Sequence, residues 1–358
     1  MVERTWLNPQ VRAIVFDSFR GPTEVREVPD PSAPDGGVVV QVRATGLCLS
    51  DWHAWSGHDT DITTLPHVPG HELAGVVAQV GAGVTRWREG DRVTVPFVSG
   101  CGTCEWCRTG QAQVCPDQTQ PGFTHWGSYA ELVVLHAADA NLVAIPDGVS
   151  FETAASLGCR FATAYRAVAG RAQVRAEEWV AVVGAGGVGL SAVMVAVARG
   201  AHVVAIDRSE AALEAARRAG AEHTALADGR DVPAEVHQVT DGGAHVAVDA
   251  VGSEQTCATA IGSLRRRGRH VQVGLFAPVD GGPRVPMGRV IAWELDVLGS
   301  HGMAAVDYPE MLDLVASGAL RPQDLLDRVV GLQEAAALVP TMDTAQRAGM
   351  VVLDPRRA

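Results

Sequence analysis

The uncharged stretch Trp179–Ala198 limits the possible folds more than any other part of this sequence. Its 20 residues are enough to span a membrane, but the segment Gly-Ala-Gly-Gly-Val-Gly at 184–189 interrupts it. We therefore predict a buried strand over 180–183, a tight turn and a buried helix over 190–199, and no membrane partner. Because apolar strands and amphipathic helices alternate in the segments that follow, we predict a doubly wound parallel sheet over residues 156–299.

The glycine segment predicts a dinucleotide-binding turn, because it follows a strand and opens a helix. In such a turn the first glycine allows a sharp bend, the second lets phosphates approach the backbone, and the third lets helix and strand pack closely. The helix N-terminus offers free N–H groups to phosphate. Asp207 ends the next strand, and its carboxylate can accept hydrogen bonds from both ribose hydroxyls of the adenosine half of a dinucleotide. A doubly wound domain that binds no dinucleotide is the alternative.

Residues outside this region show a different pattern. Apolar and polar side chains alternate over 11–19 and 38–44, and glycine and proline interrupt the segments between predicted strands. Residues 128–135 resume the strand pattern, and the apolar residues 350–353 predict a last strand. We therefore predict a second, β-rich domain with irregular loops.

Four cysteines are spaced C-x2-C-x2-C-x7-C, at Cys101, Cys104, Cys107 and Cys115. Thiolates at this spacing can converge on one tetrahedral zinc, and four cysteine ligands leave no open position, so we predict a structural zinc site over about 98–120. A disulfide pair is the first alternative, but we expect none in a chain without a secretion signal. An iron–sulfur cluster is the second, but the spacing differs from the ferredoxin patterns.

Composition excludes several classes of function. The formal net charge of −12 argues against nucleic-acid or anionic-membrane partners. All 29 basic residues are arginine, and the absence of lysine excludes Schiff-base chemistry and P-loop phosphate transfer. The N-terminal sequence MVERTWLNPQ has no apolar run, so we expect no signal peptide and a cytoplasmic location.

Two further cysteines and a histidine suggest a second metal site. Cys48, His71 and Cys159 are far apart in the sequence, but three such ligands with one open position are typical of a catalytic zinc. Taken singly, a cysteine is more often simply buried and a histidine more often at the surface or in the core. Cys257 is expected to be a plain buried thiol.

In combination, these motifs resemble the zinc-dependent medium-chain alcohol dehydrogenases. The matching segments are G-x-C-x-S-D-x-H at 46–53, GHE at 70–72, the cysteine segment at 101–115, Cys159 with TAY at 163–165, and GAGGVG at 184–189. The aromatic segments around residues 53–55 and 122–129 look most like the yeast and bacterial branch. The resemblance implies a GroES-like catalytic domain over 1–155 and 300–358, a Rossmann domain over 156–299, two Zn²⁺ per chain and NAD.

The resemblance also implies roles for individual residues. Cys48, His71 and Cys159 would hold the catalytic zinc, with Asp51 orienting the histidine. Ser50 would take the proton from the alcohol, His53 would pass it to solvent, and Glu72 would lie beside the metal. The implied cofactor-binding residues are Thr163, Gly184, Gly186, Gly187, Val188, Gly189, Asp207, Arg208, Val251 and Gly274. The implied substrate-pocket residues are Trp55, Phe97 and Trp126, for which a plain core position is the alternative.

Two positions depart from the family pattern. Leu49 and Met350 stand where many members carry a cation that contacts the cofactor phosphates. The loss of these cations implies either weaker cofactor binding or compensation by a cation elsewhere in the chain. Glu72 would lose its usual partner at Met350. Arg160, directly after Cys159, is the candidate cation either for Glu72 or for the cofactor phosphates, and a solvent-facing position is the alternative.

The function that the resemblance implies is reversible hydride transfer between a primary or secondary alcohol and NAD, with the matching aldehyde or ketone as the other substrate. The same-family alternatives are a polyol, sugar or amino-alcohol dehydrogenase and an aldehyde reductase. A non-catalytic zinc- or nucleotide-binding protein is a further alternative. A homodimer or homotetramer is expected.

Overall fold

The structure is a computed structural model that describes residues 10–276, 282–344 and 349–357. The chain divides into two compact units. The first contains the described residues of Met1–Cys159, Met303–Ala316 and Leu326–Ala358. The second contains those of Arg160–Gly302 and Ser317–Leu325.

The described residues form strands in both units. They are β1 Gln10–Val15, β2 Glu24–Pro29, β3 Val38–Gly46, β4 Glu72–Val80, β5 Arg92–Thr94, β6 Leu132–Leu135, β7 Val143–Ala144, β8 Trp179–Val183, β9 His202–Asp207, β10 His223–Leu226, β11 Ala244–Asp249, β12 Leu264–Gln272, β13 Asp296–Gly299, β14 Leu326–Val330 and β15 Met350–Leu353.

Helices connect most of these strands. The α-helices are α1 Leu49–Trp55, α2 Glu105–Arg108, α3 Ala138–Asn141, α4 Phe151–Ser156, α5 Ala162–Tyr165, α6 Gly187–Ala198, α7 Glu210–Arg218, α8 Val232–Val239, α9 Glu254–Gly262, α10 Met287–Trp293, α11 Tyr308–Ala316 and α12 Leu332–Leu338. Short 3-10 turns cover Ala112–Val114, Ala305–Asp307, Pro322–Leu325 and Val339–Thr341. Two π-helical turns cover Leu157–Phe161 and Arg166–Arg171, on either side of α5.

The second unit is built on a parallel sheet with the strand order β10-β9-β8-β11-β12-β13. Counted along the chain within this unit, the order is third, second, first, fourth, fifth, sixth, which is the arrangement of dinucleotide-binding Rossmann domains. The predicted doubly wound sheet is therefore confirmed. Its central strand β8 is almost entirely buried, which explains why its sequence is continuously apolar rather than alternating.

The uncharged stretch forms a strand, a turn and a helix, as predicted. α6 begins at Gly187, three residues before the predicted start at Leu190, and it is buried from Gly189 to Ala196. No α-helix among the described residues is long and apolar enough to cross a membrane.

The first unit contains a larger mixed sheet with the strand order β14-β15-β3-β4-β5-β7, and β6 pairs with β3. Three valines of β3 and two apolar residues of β4 belong to one buried cluster, namely Val38, Val40, Val42, Leu73 and Val77. This β-rich architecture matches the GroES-like domain that the resemblance implies. Its last strand, β15, has the predicted bounds.

Several predicted strands have other bounds in the structure. The strand predicted over 11–19 ends at Val15 as β1, and a turn that includes a hydrogen bond from Gly21 N–H to Ser18 O follows. The strand predicted over 128–135 begins only at Leu132, because the preceding residues bond instead to the loop at 68–70. The sequence predicts a strand over 271–274, but β12 is longer and begins at Leu264, seven residues earlier.

Candidate active site

Four side chains from three separate segments meet in the first unit. The ligand atoms of Cys48, His71, Glu72 and Cys159 all lie within 4.8 Å of one another. The first three residues are almost completely buried. Cys48 precedes α1, His71 and Glu72 stand at the start of β4, and Cys159 lies in the π-helical turn.

The sheet explains why these segments meet. β3 and β4 pair antiparallel with Gly46 opposite Glu72, so the residues just after β3 lie beside the start of β4. The π-helical turn is held by hydrogen bonds to its carbonyl groups. Phe97 N–H donates to Gly158 O at 3.0 Å, and the buried Tyr308 hydroxyl donates to Leu157 O at 3.2 Å.

Asp51 connects the two buried ligands Cys48 and His71. One carboxylate oxygen accepts from His71 Nδ1 at 2.9 Å and from Gly70 N–H at 3.1 Å. The other accepts from Cys48 N–H at 3.0 Å and from the Tyr129 hydroxyl at 2.6 Å. This network fixes the His71 ring with Nδ1 as the donor, so Nε2 is left with a lone pair for a metal.

The other nitrogen of this ring also indicates a metal. His71 Nε2 is buried and has no hydrogen-bond partner within the described part of the chain. Burial acts to lower the pKa of His71, but the negative charges of Asp51 and Cys48 outweigh burial and hold this pKa well above its usual value. The site thus favours positive charge at Nε2, and two thiols, an imidazole and a carboxylate are ligands that suit Zn²⁺.

The residues of the expected proton path lie next to this cluster. The Ser50 hydroxyl is 3.7 Å from Cys48 Sγ. His53 is exposed, and its Nδ1 lies 3.1 Å from Nδ1 of His58. Burial of part of the ring, together with the neighbouring His58, lowers the pKa of His53. His53 is therefore neutral and able to accept a proton near neutral pH.

The expected substrate-pocket aromatics lie in different surroundings. The Phe97 ring centroid is 6.0 Å from that of His71, so Phe97 lies beside the metal cluster. Trp55 belongs to a buried hydrophobic cluster, and its indole N–H donates to Gly21 O at 2.8 Å. Trp126 lines a cavity of about 250 Å³ next to β1, β2 and β6, and none of the four clustered ligands lines this cavity.

The four cysteines of the second cluster also converge. Their sulfur atoms lie within 4.8 Å of one another, with 3.7 Å between those of Cys104 and Cys115 and 4.0 Å between those of Cys101 and Cys107. A zinc with Zn–S bonds of about 2.3 Å requires S···S distances of about 3.8 Å in a tetrahedron. The distances therefore suit a zinc and are too long for a disulfide.

The protonation of these thiols also depends on their surroundings. Hydrogen bonds, first from Thr103, lower the pKa of Cys101 to about 6, whereas burial first and then the neighbouring thiols raise the pKa of Cys107 to about 12. A bound cation would let all four ionise together.

The glycine turn of the second unit has the geometry that a dinucleotide needs. Gly184 has φ +92°, which favours glycine. A methyl group at Gly189 would lie 1.7 Å from Gly184 O, so the helix packs directly on the turn. A methyl group at Gly186 would meet no heavy atom within 4 Å, so this side of the turn is open. Asp207 accepts from Ala185 N–H at 2.7 Å, which places its carboxylate beside the turn.

The other expected cofactor-binding residues are spread over the second unit. Thr163 is buried in α5, Val188 is half-buried in α6, and Arg208 is exposed after β9. Val251 is exposed, and Gly274 packs on the backbone at residues 251–252. This backbone is organised by Asp249, a fully buried carboxylate that accepts from the N–H groups of residues 251 and 252.

Sequence reasoning missed some of these residues. The sequence alone assigned no role to Tyr129, Tyr308 or Asp249. The signal for Asp249 was present, since a carboxylate at the end of an apolar strand is costly to bury unless it is bonded.

Comparisons with known proteins add independent evidence. A family model described as "Alcohol dehydrogenase GroES-like domain" matches residues 34–147, and one described as "Zinc-binding dehydrogenase" matches residues 187–317. An alcohol dehydrogenase of Geobacillus stearothermophilus is 36% identical over 312 residues, which cover 87% of this chain and 90% of that protein.

Solved structures show the same architecture. A thermostable alcohol dehydrogenase from Pyrobaculum aerophilum with bound cobalt and zinc is 30% identical, covers 97% of this chain and 100% of its own, and has a TM-score of 0.83. A short chain alcohol dehydrogenase from Escherichia coli CFT073, complexed with NADH, is 26% identical with coverage of 96% and 99% and a TM-score of 0.86. A putative zinc-binding dehydrogenase from Sinorhizobium meliloti 1021, bound to NADP, is 25% identical with coverage of 97% and 100% and a TM-score of 0.86.

Proposed function

Since this chain belongs to the zinc-binding alcohol dehydrogenases of the medium-chain dehydrogenase/reductase family, we propose that it oxidises a primary or secondary alcohol with NAD and reduces the matching aldehyde or ketone. Each oxidation moves one hydride from the alcohol carbon to NAD and releases one proton. The observation that carries the proposal is the buried cluster of Cys48, His71, Glu72 and Cys159, with Ser50 beside it.

The chain's own residues would hold a zinc at this cluster. Cys48, His71 and Cys159 supply two sulfurs and one nitrogen, and Glu72 is a fourth group within reach. When bound, Zn²⁺ supplies Lewis-acid polarisation of an alcohol or carbonyl oxygen. Asp51 keeps the His71 ring in one orientation and tautomer, so that the ligand set is in place before the metal arrives.

Ser50 and His53 would carry the proton. The Ser50 hydroxyl, beside Cys48 Sγ, is placed to accept the alcohol proton and to donate its own outward. His53 is exposed and bonded to His58, so a proton that reaches His53 can pass to His58 or to water. Phe97, against the His71 ring, would exclude water from the reacting carbon.

The glycine turn and Asp207 would hold the cofactor. NAD, when bound, supplies the carbon that accepts the hydride. The open side of Gly186 gives room for the pyrophosphate, and Asp207 is positioned for the adenosine ribose. Thr163, Val188 and Val251 would lie against the nicotinamide ring. The four-cysteine cluster would hold a second, structural zinc, and a homodimer or homotetramer remains our expectation.

A metal analysis combined with an activity screen tests the proposal. We expect two zinc ions per chain, and we expect NAD-dependent turnover of at least one primary or secondary alcohol in a panel that includes polyols, sugars and amino alcohols. Activity should disappear when a chelator removes one zinc and return when zinc is restored. Full activity in protein with fewer than two zincs per chain would contradict the assignment of the two clusters.

The cofactor preference provides a second test. The Asp207 carboxylate would bond the ribose hydroxyls of NAD but repel the additional phosphate of NADP. We expect kcat/KM to be at least about tenfold higher with NAD, which corresponds to about 1.4 kcal/mol. Asp207→Ser should reduce this preference, since the exposed Arg208 would remain. Equal kcat/KM values with the two cofactors in the unmodified protein would refute the preference for NAD.

A further inference from the structure

A fully buried carboxylate at the end of β11 binds groups from several neighbouring segments. One carboxylate oxygen of Asp249 accepts from Val251 N–H at 2.9 Å and from Gly252 N–H at 3.1 Å. The other oxygen accepts from the Thr256 hydroxyl at 3.0 Å and from the Gln272 amide at 3.1 Å. The side chain therefore fixes the loop after β11 to the end of β12.

The main chain of the same residue fixes the loop after β12. The carbonyl oxygen of Asp249 accepts from the first two N–H groups after β12, at 3.0 and 2.9 Å. A methyl group added at Gly252 or at Gly274 would overlap the backbone of the other loop, so the two loops are in direct contact. We call the segments 250–252 and 273–275 the paired loops, because Asp249 and this contact join them into one surface.

The paired loops lie at the switch point of the parallel sheet. The chain order of the strands reverses between β8 and β11, and doubly wound sheets bind ligands at this point, outside the carboxyl ends of the strands. The glycine turn follows β8, and a methyl group at Gly184 would overlap Val251 Cγ2. Val251 thus contacts the glycine turn, yet it remains 51% exposed. The paired loops are therefore the wall of the crevice opposite the β9 side.

This wall would receive the half of the dinucleotide that does not contain adenosine. Asp207, which is positioned for the adenosine ribose, ends β9, and β9 lies on the side of β8 away from β11. A dinucleotide binds across the crevice, one half on each side of the switch point. With the pyrophosphate on the glycine turn, the other half extends over β11 and β12. The exposed Val251 offers apolar surface to an aromatic ring there.

We propose that Asp249 is a positioning residue for the nicotinamide half of the cofactor, because its buried charge holds the paired loops in the form that the nicotinamide meets. This inference rests on the proposed function and deepens it by naming the residue that sets the affinity for one half of the cofactor. Only an ionised carboxylate can accept from four donors at once. Its burial is tolerable because those donors satisfy it, so the charge and the shape of the loops depend on each other.

Equilibrium binding to the zinc-loaded protein tests this role without turnover. Dissociation constants are measured for NADH and for ADP-ribose, which lacks the nicotinamide, and the fluorescence emission of bound NADH is recorded. Asp249→Asn keeps the size of the side chain but turns an N–H group toward donors. We expect it to raise the Kd of NADH by about tenfold and to leave the Kd of ADP-ribose unchanged. The emission of bound NADH should shift toward that of free NADH, because the ring is no longer held.

A second variant and a matched control accompany Asp249→Asn. Gln272→Met removes the amide that donates to Asp249 and to Gly274 O at 2.9 Å, and it should raise the Kd of NADH to a smaller extent. It provides the test if Asp249→Asn does not fold. Asp231→Asn changes an exposed carboxylate of the same unit that accepts from Ala234 N–H, and it should leave both Kd values unchanged.

The ratio of the two Kd values separates this role from a general structural one. An unchanged ratio with unchanged NADH emission in a folded variant would overturn the role of Asp249 and leave the proposed function intact. An equal rise of the Kd for both ligands would also overturn it, since the adenosine half should be unaffected. If the unmodified protein bound neither NADH nor ADP-ribose, the proposed function would fail together with this inference.

Discussion

The two candidate metal clusters differ in how far apart in the sequence their members are. The four cysteines of the 101–115 segment lie within 15 residues. They are held by hydrogen bonds between residues that are close in the sequence, such as the bond from Cys104 N–H to Cys101 Sγ at 3.4 Å. The other cluster takes Cys48, His71 and Cys159 from three distant segments and buries most of them. A local cluster can form wherever its segment lies, whereas the distant cluster exists only once the sheet has formed.

The ligands of each cluster determine whether a bound metal could also bind a substrate. Four thiolates close a tetrahedral shell, so a metal at the local cluster can only connect parts of the chain. The distant cluster combines three strong ligands with a carboxylate and has the Ser50 hydroxyl beside it. A substrate oxygen can be bound only at the distant cluster. Substitutions at the two clusters should therefore affect different measurable quantities.

The largest expected effect comes from Cys159→Ser. Loss of one strong ligand should lower turnover by about a thousandfold or more, the equivalent of about 4 kcal/mol. Zinc should fall from two to one per chain, with the melting temperature nearly unchanged and ADP-ribose still bound. Cys257→Ser, a buried thiol outside both clusters, is the control and should keep two zincs. Substantial turnover in Cys159→Ser would mean that the two clusters have been assigned the wrong roles.

The second effect comes from Cys104→Ser and should appear in stability. Zinc should again fall to one per chain, but the free energy of unfolding should drop by about 3 kcal/mol, which lowers the melting temperature by about 6–12 °C. The protein that remains folded at low temperature should keep most of its kcat. The comparison between the clusters would fail if turnover per folded molecule fell as far as in Cys159→Ser.

The same difference in sequence separation determines how much of each cluster can be predicted from the sequence. Spacing alone indicated the local cluster, because a gap of two residues turns the chain back and leaves both cysteine sulfurs on the same side. No spacing rule connects Cys48 with Cys159. Residue type alone made them possible ligands, and the resemblance to a family was needed to combine them in one site. The hydrogen bond from Tyr129 to Asp51 depends on the packing of β3 against a distant loop, and no local pattern indicates it. The parallel sheet, in contrast, followed directly from alternating apolar and amphipathic segments.

A third, smaller effect tests whether the distant cluster depends on the hydrogen bonds that Asp51 accepts. Asp51→Asn keeps the size of the side chain but removes the charge that accepts from His71 and Tyr129. We expect the affinity of the catalytic zinc to fall by about ten- to a hundredfold, as measured by competition with a chelator. Tyr129→Phe removes only one of these bonds and should have a smaller effect in the same direction. The four-cysteine site should keep its affinity in both variants, and equal losses at both sites would indicate general unfolding.

The smallest effect concerns the path to solvent. His53→Gln should lower kcat by about tenfold at neutral pH, because water can replace an exposed histidine. The pKa of His53 is lowered by burial and by His58, so the unmodified protein keeps a neutral acceptor down to mildly acidic pH. Without this acceptor, alcohol oxidation should increase with pH into the alkaline range. A pH profile of kcat that does not change in His53→Gln would exclude this histidine from the path, and His58→Gln is the matched neighbour control.

The π-helical turn that holds Cys159 also limits how this chain can change in length. A π turn closes its hydrogen bond one residue later than an α-helical turn and so contains one residue more. Deleting one residue from α4 while the π-helical turn kept its form would rotate everything before the deletion by about 100° relative to Cys159. The thiol would then point away from His71. Substitutions in this helix can therefore accumulate over evolution or in engineering, whereas insertions and deletions before Cys159 should be eliminated unless a second length change compensates for them.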